Sequence, residues 1–146
     1  MEATIMKEKK VFSLYGVSKV HDKNTPYSET ISQLLDTVWS EVKKHGLSHK
    51  GKNHVVYDSD GIVFAGIELT ARPSEETLLK HKEIELQKFA YCKHIGPYYK
   101  LDSSYQKINT ILDSSGNRHI PPSLEVYGHW HEDESKLETE IIFNIE

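Results

Sequence analysis

Hydrophobic and polar positions alternate along the first half of the chain in a way that predicts four elements. Residues 11–20 are dense in β-branched and aromatic side chains, which is typical of a strand. The apolar residues that follow are spaced as one stripe on a helix that ends at Gly46: Ile31, Leu34, Leu35, Val38 and Val42. Residues 53–58 and 62–70 flank the turn-forming Ser59-Asp60-Gly61 and predict a hairpin.

The second half predicts the same four elements in the same order. Residues 86–94 are expected to form a strand, and residues 123–130 and 137–145 a closing hairpin. Between them, an apolar stripe predicts a helix that ends at Gly116; it consists of Leu101, Tyr105, Ile108 and Leu112.

Matching residues recur at a nearly constant distance in the two halves. A Pro-Tyr pair precedes each predicted helix, at Pro26 and at Pro97, and a glycine ends each one. Tyr57 and Tyr127 keep the same offset. Several such matches in one order indicate the duplication of a supersecondary unit.

Two copies of strand, helix, strand and strand predict an α+β fold, with antiparallel sheets and the helices on one side of each sheet. We expect a single domain over residues 1–146, with a first repeat at about 11–70 and a second at about 86–145. The polar connector, residues 71–85, contains Pro73 and is expected to hold one helical turn. We expect the opposite sheet faces to meet at a pseudo-twofold axis and leave a central ligand cleft.

The composition of the chain disfavours several classes of protein. The 146 residues include 18 Lys and Arg against 22 Asp and Glu, a net charge of −4 that disfavours direct nucleic-acid binding. The single cysteine, Cys92, excludes an internal disulfide, and its strand position predicts a buried small residue. The N-terminus lacks an apolar signal segment and no apolar run spans a bilayer, so we expect a cytoplasmic protein without membrane contact.

The two halves differ at one acidic position. In strand 123–130, period two places Glu125 and Tyr127 on the face expected to meet the cleft or solvent, with His129. The apolar alternates are expected under the helices: Leu124, Val126 and Trp130. The first half carries Val55 and Tyr57 at the corresponding positions.

A carboxylate between two tyrosines suits a cationic or amphipathic ligand, because aromatic faces attract cations and a partly desolvated acid gains from a positive partner. A solvated Glu125, with the tyrosines packed as cross-strand neighbours, is the competing interpretation. His129 and His131 alternate in line with Glu125, a spacing that could ligate zinc, but no third ligand is evident in the sequence. We therefore predict no metal and no cofactor.

Three motifs resemble the gyrase-inhibitor-like (GyrI-like) effector-binding family, whose domain is also attached to AraC-type and MerR-type regulators. They are His-Ile-Gly-Pro-Tyr at 94–98, Pro-Ser-Leu-Glu-Val-Tyr at 122–127 and Thr-Glu-Ile at 139–141, and the resemblance covers residues 11–145. It implies a duplicated βαββ domain whose cleft binds varied hydrophobic or cationic drug-like molecules. It also implies that Glu125 is the pocket acid, and that Trp39 occupies a helix position where relatives place an aromatic near the cleft. Core packing explains Trp39 equally well.

These observations favour a stand-alone small-molecule-binding or sensing protein, with Glu125, Tyr127, Tyr57 and Trp39 as the ligand contacts. About ten residues precede the first predicted strand, too few for a helix-turn-helix. By the resemblance, one alternative is a hydrolase of cyclopropane-containing electrophiles in which Glu125 activates water. No nucleophile and base occur at a recognisable spacing, so the sequence leans against an enzyme but leaves the hydrolase alternative open. A second alternative is a gyrase-inhibitor-like partner of gyrase or of a regulator, through an acidic surface.

Overall fold

The computed structural model describes residues 2–146. In this range the elements are β1 Thr4–Met6, β2 Lys10–Val20, α1 Tyr27–His45, β3 Asn53–Tyr57, β4 Ile62–Ile67, β5 Lys80–Leu86, β6 Phe89–Ile95, α2 Leu101–Ser115, β7 His119–Tyr127 and β8 Glu138–Ile145. They form two compact units: a first unit, Val11–Ile84, and a second unit of residues 2–10 together with 85–146. No helix among the described residues has both the length and the apolar character to cross a bilayer.

In the first unit, β4 pairs antiparallel with both β2 and β3, and α1 packs against β4. Gly46 ends α1 in the left-handed conformation, with φ of 59°, and three basic residues in the last turn favour the helix C-terminus. The predicted helix end at Gly46 is therefore confirmed. The apolar stripe of α1 meets the sheet in a core of Val38, Val42, Ile67 and Leu79.

The predicted hairpin at residues 53–70 is also present. Asp60 and Gly61 take positive φ values of 60° and 74°, which turn the chain from β3 into β4. The Asp58 side chain accepts a hydrogen bond from the Ser59 backbone N–H at 2.9 Å and closes the turn. The second strand of this hairpin ends at Ile67, earlier than expected.

In the second unit, the strands are ordered β1, β6, β8 and β7, and every neighbouring pair is antiparallel. α2 packs against β6 and ends, as predicted, at Gly116, which has φ of 70°. Ile108 and Leu112 point from α2 into a core that also contains Ala90, Cys92, Ile141, Phe143 and Ile145. The predicted burial of Cys92 is confirmed.

Two strands were not predicted. β1 has only three residues. β5 occupies the last part of the connector, which forms this strand instead of a helical turn. Its sequence, Lys-His-Lys-Glu-Ile-Glu-Leu, buries only Ile84 and Leu86, and such a polar strand gives little apolar signal. β7 begins earlier than expected, at His119, and ends earlier, at Tyr127.

The predicted α+β class with antiparallel strands is confirmed. Each unit contains a strand, a helix and two strands in that order, with β2, α1, β3 and β4 in the first and β6, α2, β7 and β8 in the second. The duplication itself stays a prediction.

Candidate functional site

The register of the second unit decides which face of β7 meets the helix. Glu125 lies opposite Ile141, and Tyr127 lies opposite Thr139. Ile141 belongs to the core beneath α2. Glu125 is paired directly with Ile141, so its side chain lies on the same face of the sheet, the face that meets α2. The prediction that the apolar alternates of β7 lie under the helix is therefore wrong. Leu124 and Val126 are buried as well, so apolar character alone does not distinguish the two faces.

The third member of the predicted apolar set, Trp130, is not in the strand. It follows β7 in the loop to β8 and is 76% exposed. His129 and His131 lie in the same exposed loop rather than on a strand face. No group of three or more His, Cys, Asp or Glu side chains that could hold a metal ion occurs among residues 2–146.

Glu125 is buried, with 5% of its surface exposed, and two tyrosines donate hydrogen bonds to it. The Tyr127 hydroxyl donates to Oε1 at 2.7 Å. The Tyr105 hydroxyl, from α2, donates to Oε2. The carboxylate is thus held between a helix and its own strand and is not a solvated surface residue.

Both phenols remain protonated donors. Burial raises the pKa of Tyr105 far above its ordinary value, and the charge and the hydrogen bond of Glu125 raise it further. The pKa of Tyr127 is raised by the same causes in the same order. The two hydroxyls therefore orient the carboxylate without a charge of their own.

Further aromatic rings surround this group. The Tyr98 ring meets the Tyr127 ring edge-on, with centroids 5.4 Å apart and planes at 84°. The centroid of the Phe143 ring lies 5.8 Å from that of the Tyr105 ring. Tyr98 is 40% exposed, so the cluster runs from the buried carboxylate to the surface. We call Glu125, Tyr105, Tyr127 and Tyr98 the carboxylate cluster.

His94 stabilises the segment between β6 and α2, which contains Tyr98. Its Nε2 lies 3.0 Å from the carbonyl oxygen of Pro97, and its Nδ1 lies 2.9 Å from the hydroxyl of Ser104 in α2. Because a carbonyl only accepts, Nε2 carries a proton. The imidazole thus ties the end of β6 to the start of α2.

The other two predicted ligand contacts lie in the first unit. Tyr57 ends β3, and its ring meets Tyr27 edge-on at 5.6 Å. Trp39 packs against the core of α1, and its Nε1 donates to Asn53 Oδ1 at 2.8 Å. The structure brings Glu125 and Tyr127 together, whereas a role for Tyr57 and Trp39 in ligand binding stays a prediction.

Sequence analysis missed Tyr105 and Tyr98 as members of the site. The sequence predicts Tyr105 in the apolar stripe of α2, and its side chain does pack against the core there. The available signal was its hydroxyl, since a buried tyrosine needs a hydrogen-bond partner and the acid at position 125 is a suitable acceptor. The sequence places Tyr98 in the Pro-Tyr pair before the helix and in the motif at 94–98, but neither pattern indicates a place beside Glu125.

Several solved structures share this fold. The C-terminal domain of EcmrR superposes with a TM-score of 0.75 at 19% identity, over 99% of this chain and 97% of that one. SAV2435 bound to tetraphenylphosphonium has a TM-score of 0.64 at 16% identity, over 100% of this chain and 94% of that one. A hydrolase from Listeria innocua has a TM-score of 0.63 at 11% identity, over 99% of this chain and 92% of that one.

No curated protein matches the chain in sequence. The sequence model of the GyrI-like small molecule binding domain matches residues 20–146, which include α1, α2 and the whole carboxylate cluster. This match spans well over half of the chain and agrees with the resemblance of its motifs. The chain therefore belongs to the GyrI-like small-molecule-binding domain family.

Proposed function

We propose that this protein binds small lipophilic cations, and that Glu125 is the anionic partner of the bound charge. The observation that supports this most strongly is a buried carboxylate that two neutral phenols hold in place beside further aromatic rings. A ligand with a delocalised positive charge and apolar groups matches both features.

The energetics favour such a ligand. Two opposite unit charges about 5.5 Å apart attract by about 3 kcal/mol at an effective dielectric constant of about 20. A cation over a tyrosine ring gains about 0.5–2 kcal/mol more. A lipophilic cation is weakly hydrated, so it loses little hydration when it leaves water. A compact, strongly hydrated cation would lose more.

The comparisons support the same class of ligand. The family is one of small-molecule-binding domains, and SAV2435, which has the same fold, is bound to tetraphenylphosphonium. Tetraphenylphosphonium is therefore the first probe for this protein.

The test measures tetraphenylphosphonium binding by titration calorimetry to the wild type and to Glu125→Gln. We expect the substitution to weaken binding about ten- to hundredfold, because it removes the charge attraction. It should change the affinity for neutral triphenylphosphine oxide by less than about threefold, within the scatter of a nearly isosteric change.

Glu140→Gln provides a matched control. Glu140 also accepts a tyrosine hydroxyl, that of Tyr91 at 2.6 Å, and lies in β8 opposite Val126 of β7. This face of the strands is not that of Glu125. The control changes net charge equally and should retain wild-type affinity. Equal losses in both variants, or equal losses for the cation and the neutral compound, would contradict the proposal.

We favour binding over hydrolysis of electrophiles. A general base must reach the attacking water with a carboxylate oxygen. Each oxygen of Glu125 already accepts a hydrogen bond from a tyrosine and the residue is only 5% exposed, so water reaches the remaining lone pairs only by entering the cluster. The likeness to a hydrolase from Listeria innocua, at 11% identity, concerns the fold alone. Turnover of a cyclopropane-containing electrophile above the rate of Glu125→Ala would reverse this preference.

A further inference from the structure

One buried hydroxyl beside the carboxylate cluster has no protein partner. Thr139 is fully buried, and its Oγ1 is the one buried side-chain polar atom within residues 2–146 that lacks a hydrogen bond. Such atoms are rare in native proteins because burial removes their hydrogen bonds to water without replacement. The position therefore calls for an explanation, and a bound ligand supplies one.

The register places this hydroxyl in the middle of a polar row. Thr139 in β8 lies opposite His94 in β6 on one side and opposite Tyr127 in β7 on the other. Directly opposed residues of antiparallel strands have Cβ atoms about 4.5–5.5 Å apart and share one face. Thr139 is therefore a direct neighbour of the carboxylate cluster.

The two residues that flank Thr139, His94 and Tyr127, form their hydrogen bonds with other partners. His94 is engaged with Ser104 and with the carbonyl of Pro97. The Tyr127 hydroxyl donates to Glu125. Thr139 thus lies between two hydrogen-bonded groups, neither of which satisfies its hydroxyl.

We propose that Thr139 Oγ1 is a ligand contact that selects lipophilic cations carrying a hydroxyl, amino or carbonyl group. This inference rests on the proposed function, because Glu125 holds the charge while Thr139 bonds the polar substituent. Since Thr139 is fully buried, the substituent reaches it only when a covering side chain moves. Tyr98, at 40% exposure, is the most exposed ring of the cluster.

Thr139→Val tests the stability side of the proposal. Valine has nearly the same shape but no hydroxyl, so a hydroxyl without a partner is removed at no loss. We expect the melting temperature of the ligand-free variant to equal or exceed that of the wild type. A fall of more than about 2 °C would show that the hydroxyl has a structural partner, and would overturn the proposal.

A matched series of ligands tests the binding side. Tetraphenylphosphonium has no hydrogen-bonding group, whereas its 2-, 3- and 4-hydroxyphenyl analogues add one hydroxyl to the same cation. We expect at least one analogue to bind the wild type about tenfold more tightly than the parent, the effect of one added hydrogen bond. Thr139→Val should lose this preference but keep the affinity for the parent within about twofold, and Thr139→Ser should keep the preference.

The outcomes separate the two proposals. If the wild type fails to bind tetraphenylphosphonium, the proposed function itself is wrong, and the Thr139 contact falls with it. If the parent binds but no analogue is preferred, or if Thr139→Val keeps the preference, only the role of Thr139 is wrong.

Discussion

At the scale of single residues, the phenols of the carboxylate cluster combine burial with a negative neighbour. Both factors disfavour the phenolate, so the pKa of Tyr105 and that of Tyr127 lie far above the value that tyrosine has in an unfolded chain. The two phenols therefore stay neutral donors at alkaline pH values at which the tyrosines of an unfolded chain ionise.

These raised pKa values predict a loss of stability in alkali. Below pH 10 tyrosine is protonated in both states, and the stabilisation is complete. Above about pH 10 the unfolded chain releases the phenol protons while the folded protein keeps them, so the free energy of unfolding falls as pH rises. Each phenol contributes up to about 1.4 kcal/mol per pH unit to this fall.

Urea unfolding between pH 8 and pH 11 measures the effect. Tyr105→Phe and Tyr127→Phe should each show a shallower fall than the wild type. Tyr99→Phe, which alters a tyrosine that is 76% exposed, should keep the wild-type slope. Identical slopes for all four proteins would contradict this account of the cluster.

At the scale of elements, Tyr105 links α2 to β7 through a hydrogen bond to a buried charge. We expect Tyr105→Phe to lower the free energy of unfolding at neutral pH by about 1.5–3 kcal/mol, the value of a hydrogen bond to a charged group. Tyr91 donates a hydrogen bond to Glu140 in a pair that is only partly buried. Tyr91→Phe should therefore lower the free energy of unfolding by less than about 1 kcal/mol. Denaturant unfolding that gave equal losses would show that the Tyr105 bond is no stronger than the partly buried one of Tyr91.

Much of the element order followed from the sequence, but the face of β7 did not. The helix stripes and their terminal glycines, Gly46 and Gly116, are local signals that tertiary structure did not override. In β7, three consecutive residues are buried, so alternation cannot tell which face meets α2. The partner of Glu125 depends on contact between a helix and a strand about twenty residues apart, which periodicity does not encode. β5 escaped prediction because its polar residues resemble those of a loop.

At the scale of the whole molecule, the two compact units contain similar local arrangements. His21 Nδ1 lies 2.9 Å from the Thr30 hydroxyl, and His94 Nδ1 lies 2.9 Å from that of Ser104. In each unit, the tyrosine that follows the proline meets the tyrosine at the end of the next strand edge-on. These likenesses are what the predicted duplication would produce.

The chemistry of the two units differs. Val55 stands where the second unit has Glu125, and it is fully buried, as expected of an apolar core position. The acid, its two phenol donors and the Thr139 hydroxyl all belong to the second unit. We infer that the ligand charge is recognised by the second unit only.

Tetraphenylarsonium reports where the ligand charge lies, because its arsenic atom marks the position of the charge by anomalous scattering. In crystals of the protein grown with this cation, we predict an arsenic peak within about 7 Å of the Glu125 carboxylate, close to the cation–ring distance of about 6 Å. With the cation at a concentration near its wild-type Kd, the peak should be much weaker in crystals of Glu125→Gln. An arsenic peak elsewhere in the wild type, or one that persists unchanged in the variant, would show that Glu125 does not recognise the ligand charge.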